Sequence, residues 1–198
     1  MSTAKRRPAA RRGEGEKLRS EIMEVTARLL ENTDAAGTLS LRAIAREVGV
    51  AATSIYLHFD SLETLVRAVK DERYEQLRAA LLAADTDAPN DPRGRLRAAA
   101  RAYVDFALDR PGTYKLLFSS TLNVPPAAGD QFVGERAFRV AVEVLREVHE
   151  TDEGAQRAAT QLWCLLHGMV ILRADRPKFP WPPLESQVDD AVDRMLRA

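Results

Sequence analysis

The chain has one cysteine, Cys164, in 198 residues. A single thiol excludes an intrachain disulfide framework and any zinc site built on several cysteines. Histidine is almost as scarce. His58, His149 and His167 are the three present, and none stands at metal-ligand spacing from another or from Cys164. Net charge is missing too, with 29 Lys+Arg against 29 Asp+Glu, so no global field argues for a polyanionic partner. The longest apolar run, around Met169 to Leu172, falls far short of the ~18 residues that cross a bilayer. The basic N-terminus runs into Gly13-Glu14-Gly15-Glu16-Lys17, which is no signal-peptide core. A Gly-rich phosphate loop, a Gly-x-Ser-x-Gly elbow and a His-Glu-x-x-His pair are all lacking. The expectation is a cytoplasmic globular protein with no membrane partner, no metal, no cofactor and no enzymatic activity.

Proline is absent from residues 9–88, and the ten prolines present punctuate the rest of the chain. Between them the apolar residues follow helical spacing, and no alternating run of useful length argues for a strand. Leu18, Ile22, Val25 and Leu29 predict a first helix to about Leu30. Ser40 is an N-cap candidate for a short helix with Leu41, Ile44, Ala45 and Val48 on one face, ended by Gly49. A third helix is expected from about Ala52 to His58. Asp60 with Glu63 reads as a capping box opening a long fourth helix, with Leu62, Leu65, Val66, Val69, Leu77 and Leu81 inward. Further helices are expected at 92–109, 113–119, 131–149, 154–174 and 185–197, the last two joined by a stiff Pro-rich connector from Arg176 to Pro183. The fold class is therefore all-α, with about nine helices.

Two short helices joined at Gly49 and braced by a preceding one have the proportions of a helix-turn-helix. Ile55 and Phe59 would face inward, leaving Ala52, Thr53, Ser54 and Tyr56 outward. The residues themselves say more. The stretch from Leu41 to Phe59 resembles the DNA-binding domain of the TetR family of bacterial transcriptional regulators. It carries the Ile44-Ala45 pair, the Gly49-Val50 turn and the Tyr56-Leu57-His58-Phe59 ending of the recognition helix. The resemblance is close over residues ~15–68 and looser beyond. There, Trp163-Cys164-Leu165-Leu166-His167-Gly168 is similar to the Trp…His-Gly signature of one C-terminal subfamily, and Arg110-Pro111…Tyr114-Lys115-Leu116-Leu117-Phe118 to its companion.

What the resemblance implies is specific. Residues 1–14 would be a basic, disordered arm, 15–62 the helix-turn-helix domain, and 63–198 a helical ligand-binding and dimerisation domain. Arg42 would reach a phosphate or a guanine edge, for which a guanidinium fork is suited. Ser40, Ala52, Thr53, Ser54, Tyr56, Leu57 and His58 complete the expected DNA-binding set, Tyr56 with a phosphate and His58 fixing the register. Departures from the family pattern thin this set. Leu62 stands where many relatives carry Lys, Leu57 where a longer polar residue is frequent, and Ala51-Ala52 offer little hydrogen bonding. Lys5, Arg6, Arg7, Arg11 and Arg12, with no acid among the first 12 residues, are expected to supply the affinity these positions lack.

The partners so implied are a double-stranded palindromic operator, a second copy of the chain, and a small hydrophobic effector. Tyr103, Phe106, Tyr114, Phe118, Phe138, Trp163 and His167 are the candidate effector-binding residues, although core packing accounts for the same aromatics. Cys164 is expected to be a buried, inert thiol. In the last helix, Val188, Ala191, Val192, Met195 and Leu196 form an apolar stripe that needs a cover, and the expectation is the partner subunit. The function read from the sequence is a ligand-responsive repressor acting as a homodimer. The alternatives are an activator of the same build, or a helical bundle or enzyme that has lost DNA binding.

Overall fold

Proline and glycine punctuation sets the helix ends in the computed structural model, which describes residues 14–31, 39–118, 124–126 and 128–197. Among these are nine helices and no strand: α1 (Glu14–Glu31), α2 (Leu41–Val48), α3 (Ala52–Tyr56), α4 (Leu62–Asp87), α5 (Pro92–Asp109), α6 (Pro111–Phe118), α7 (Glu135–Arg146), α8 (Asp152–Asp175) and α9 (Leu184–Met195). The basic cluster from Lys5 to Arg12 lies outside the described residues. No described helix is long and apolar enough to cross a membrane.

The caps explain most of the boundaries. The Asp91 carboxylate accepts the Gly94 amide ahead of α5, and the Thr151 hydroxyl accepts the Gly154 amide ahead of α8, each satisfying an otherwise orphaned donor. At α4 the capping pair is Ser61 and Thr64, not Asp60 and Glu63. The Ser61 Oγ accepts the Thr64 amide at 3.1 Å, and the Ser61 amide donates to the Thr64 Oγ1 at 3.1 Å. The shorter hydroxyl side chains reach the amides directly, which moves the cap by one residue. Helix α7 begins just after Gly134 rather than near 131, because that glycine adopts φ +89° and turns the chain before the helix.

The chain divides into two compact units, Met1–Arg73 with Gly112–Val133, and Tyr74–Pro111 with Gly134–Ala198. This differs from a single boundary at residue 62. Leu116 of α6 and Val124 are buried in the same apolar cluster as Ile22, Ile44, Ile55, Phe59, Leu65 and Val69, so α6 returns to the unit that holds α1–α3. In the second unit α9 packs on both α5 and α8. Val188, Ala191, Val192 and Met195 are all buried there, Val192 completely. The cover for the α9 stripe is therefore its own unit, not a partner. Burial of such side chains contributes roughly 1.5–3 kcal/mol for each large one. Arg97 to Asp189 at 2.8 Å and Arg101 to Asp189 at 3.3 Å tie α5 to α9 at the rim.

Candidate nucleic-acid interface

Helix α2 is set in place by its own ends. The Ser40 Oγ accepts the Ala43 amide at 3.2 Å, while Leu41, Ile44, Ala45 and Val48 bury one face. At the other end Gly49 adopts φ +80°, and its amide donates to the Ala45 carbonyl at 3.0 Å. The Val50 amide reaches the same carbonyl at 2.9 Å. This left-handed residue ends α2 and starts the short turn into α3, a conformation glycine adopts without a Cβ penalty.

Helix α3 is only five residues long, so tertiary packing fixes it. Ile55 is completely buried and Phe59 nearly so, with the Arg19 guanidinium 4.7 Å above the Phe59 ring. With that side anchored, Thr53, Tyr56 and Leu57 form an exposed row at i, i+3, i+4. Tyr56 is 54% and Leu57 82% exposed, among the most exposed large apolar side chains described. Arg42 and Ser40 are exposed at the start of α2. The Ser40 oxygen serves as the cap, and its hydroxyl proton stays available for donation. Three expected residues sit differently. Ala52 packs against the apolar cluster, and Ser54 is half-buried. His58 is half-buried beside Gly15, its Cε1 3.9 Å from where a Cβ on that glycine would be. Leu62, the departure from a basic residue, packs on the cluster instead.

The candidate effector residues fall into separate groups. Within the second unit, the Trp163 Nε1 donates to the Tyr103 hydroxyl at 3.2 Å, and that hydroxyl lies 3.4 Å from His167 Nδ1. Phe138 meets Trp163 edge-on at 6.2 Å between centroids. Burial holds the His167 imidazole below its ordinary pKa, which favours the neutral ring. Phe106 is buried on α5, with the Arg110 guanidinium 5.2 Å from its ring. Tyr114 and Phe118 belong to the first unit, where their rings lie 4.8 Å apart. Tyr74 is a residue the sequence reading passed over. Its hydroxyl pKa is pushed up, out of the usual range, by burial and then by the charge of Tyr103. The signal existed: Tyr74 stands three residues before Leu77 and seven before Leu81, on the inward side of α4. Cys164 is exposed rather than buried. Helix α8 turns its neighbours Leu162 and Leu166 inward and leaves Cys164 on the opposite face.

Two family models match the chain. Residues 22–69 match the bacterial regulatory proteins of the tetR family, and residues 96–198 match a tetracyclin repressor-like C-terminal domain. The chain belongs to the TetR family. An uncharacterized HTH-type transcriptional regulator of Mycobacterium tuberculosis is 31% identical to this TetR-family chain over 139 residues, 68% of the chain and 61% of the relative. The chain thus spans about six-tenths of the length of the curated relatives it matches. A solved protein of unknown function from Rhodococcus sp. RHA1 superposes with a TM-score of 0.72 at 28% identity, covering 91% of this chain and 94% of that one. A TetR family transcription regulator from Marinobacter aquaeolei VT8 shares the fold, with a TM-score of 0.62 at 17% identity over 94% and 97% of the two chains. The first match covers the whole of the α2–Gly49–α3 arrangement. The second covers Tyr103, Trp163 and His167.

Proposed function

We propose that this TetR-family chain is a DNA-binding transcriptional regulator, a repressor that reads a palindromic operator as a homodimer and is released by a small hydrophobic effector. The observation that carries the reading is the outward row of α3. Thr53, Tyr56 and Leu57 are presented to solvent by a helix pinned through Ile55 and Phe59, and Arg42 and Ser40 are exposed at the start of α2. A row held that rigidly is suited to entering a major groove, with the hydroxyl of Tyr56 and the guanidinium of Arg42 as polar contacts. In the homodimer, two such heads meet successive grooves.

The outer row of α8 supports the homodimer. Cys164, Leu165 and Leu172 are exposed and Gly168 half-buried, at helical spacing on one face. The hydrogen-bonded Tyr103, Trp163 and His167, with Phe138 alongside, are the groups we assign to the effector. Aromatic walls with few polar handles favour a weakly polar ligand. The deciding experiment is electrophoretic retardation of a duplex covering the promoter of the protein's own gene. A retarded complex that Arg42→Ala weakens supports the reading, and no retardation of that duplex or of any genomic fragment overturns it.

A further inference from the structure

The first unit contains a polar cluster with no place in the DNA-contacting row. Arg73 of α4 is nine-tenths buried, and its guanidinium faces three glutamates. One nitrogen meets Glu24 at 2.8 Å, and Nε and Nη1 stand 3.6 and 3.7 Å from Glu31 and Glu72. The buried Nε–H has no hydrogen-bond acceptor among the described residues, because 3.6 Å to the Glu31 Oε1 is beyond reach. That same oxygen is engaged elsewhere: it accepts the hydroxyl proton of Thr113, in the first turn of α6, at 2.6 Å. Gly112 allows the approach. A Cβ there would stand 3.1 Å from the Glu31 Cβ, closer than ordinary van der Waals contact. One carboxylate oxygen is therefore placed between a hydroxyl that holds it and a buried N–H that lacks a partner.

Glu31 closes α1, and its position matters for α2. The last turn of α1 also carries Arg28, which faces Glu47 of α2 at 3.6 Å, and Ala27 and Leu30, which are buried in the apolar cluster. Displacing that turn displaces the support of the α2–Gly49–α3 pair. Without the Thr113 hydroxyl, the Glu31 carboxylate is drawn toward the buried Arg73 Nε–H, because an unsatisfied buried donor is costly, and its movement shifts the last turn of α1.

We propose that Glu31 and Thr113 are positioning residues for DNA reading. The Thr113 hydroxyl holds the Glu31 carboxylate off Arg73 and so sets the angle at which α1 supports α2 and α3. Neither side chain belongs to the outward row, and the inference rests on the DNA-binding reading above.

The test uses the full chain and a duplex recovered by the wild-type protein from a library randomised over about 30 base pairs, together with versions of it carrying one base pair more or fewer at the centre. Thr113→Val should weaken binding about tenfold, the scale of one charge-assisted hydrogen bond. The salt dependence should stay unchanged, because no phosphate contact is lost. Discrimination against the altered spacings should fall, which a role confined to stability would not produce. Thr113→Ser should bind within about twofold of wild type, since it restores the donor. Glu31→Ala, which removes the acceptor, should mimic Thr113→Val, and the double variant should lose no more than the larger single loss, as expected for one shared interaction. If Thr113→Val fails to fold, Glu31→Ala carries the comparison. Unchanged affinity and spacing preference, or losses that simply add, would overturn the proposal. A wild-type protein that recovers no sequence overturns the DNA-binding reading itself, and this inference with it.

Discussion

The Trp163 indole donates its Nε1–H to the Tyr103 hydroxyl across 3.2 Å, joining α8 to α5. That hydroxyl also lies 3.4 Å from His167 Nδ1. Burial favours the neutral imidazole there, and a neutral ring accepts through one nitrogen while it donates through the other.

A pH dependence results from this arrangement. The folded pKa of His167 lies below its ordinary value of 6.5 because burial penalises the charged ring. Below that ordinary value the unfolded chain binds more protons than the folded one, so stability rises with pH there. The His167 contribution is full above about 6.5 and is lost as pH falls through that value towards the folded pKa. Thermal unfolding followed from pH 7.5 to 5.5 should show a steeper decline for wild type than for His167→Gln. Equal slopes would remove His167 from this role.

Two glycines give a matched pair of stability predictions. Gly49 and Gly134 have nearly the same backbone, φ +80° and +89°. A Cβ on Gly49 would meet nothing within 4 Å, whereas one on Gly134 would lie 2.4 Å from the Tyr74 Cε1. Gly49→Ala should therefore cost only the left-handed penalty of about 1–2 kcal/mol. Gly134→Ala adds a steric overlap and should cost more, on the order of 3 kcal/mol, with part regained when Tyr74 is also truncated. Urea unfolding of the three variants checks the order, and equal costs at the two glycines would contradict it.

Much of this architecture was legible because helices leave local marks. The Ser40 cap, the Gly49 stop and the inward residues Leu41, Ile44, Ala45 and Val48 follow from spacing of three and four residues. The proline positions likewise place α5, α6 and the connector before α9. What spacing does not encode is the identity of the surface a stripe lies against. The apolar residues of α9 had to be covered, yet the cover could equally be another subunit or α5 and α8, and it is α5 and α8. The same holds for α6, whose Leu116 joins a cluster made by residues 40 to 100 positions earlier in the chain, and for Glu31 and Thr113, whose contact spans 82 positions. At the candidate interface, the outward placing of Thr53 and Tyr56 was readable from spacing, while Leu57 entered through the family pattern and the half-burial of Ser54 was not foreseen. The inward turn of Ala52 was not, since a small residue fits either face.

The two long C-terminal helices separate folding from assembly. Val192 is completely buried within its own unit, so Val192→Glu buries an uncompensated charge and should cost roughly 3–5 kcal/mol, enough to melt the unit. Leu172 is 51% exposed on α8, so Leu172→Glu should leave the fold intact. If the outer row of α8 is the homodimer face, that same change should give a monomer, because a carboxylate desolvated there would lack a partner. Circular dichroism with light scattering distinguishes the outcomes. A folded Val192→Glu monomer would restore α9 as the interface, and a dimeric Leu172→Glu would remove α8.

The last prediction concerns the row itself. Tyr56 is more than half exposed and Ile55 beside it is fully buried, so the Tyr56 hydroxyl can be removed without disturbing the anchor. Tyr56→Phe should weaken duplex binding by roughly 1 kcal/mol, the net worth of one hydrogen bond, and leave thermal stability unchanged. Arg42→Ala should cost about 1–3 kcal/mol and relax preference at one base position if the guanidinium is bidentate to a guanine. If Arg42 meets only phosphate, the loss should be uniform across sequences, with the salt slope reduced by about one. Fluorescence anisotropy at several salt concentrations, on the recovered duplex and on single-base variants of it, separates these cases. Wild-type affinity and wild-type salt slope in both variants would show that α2 and α3 do not meet DNA through this face.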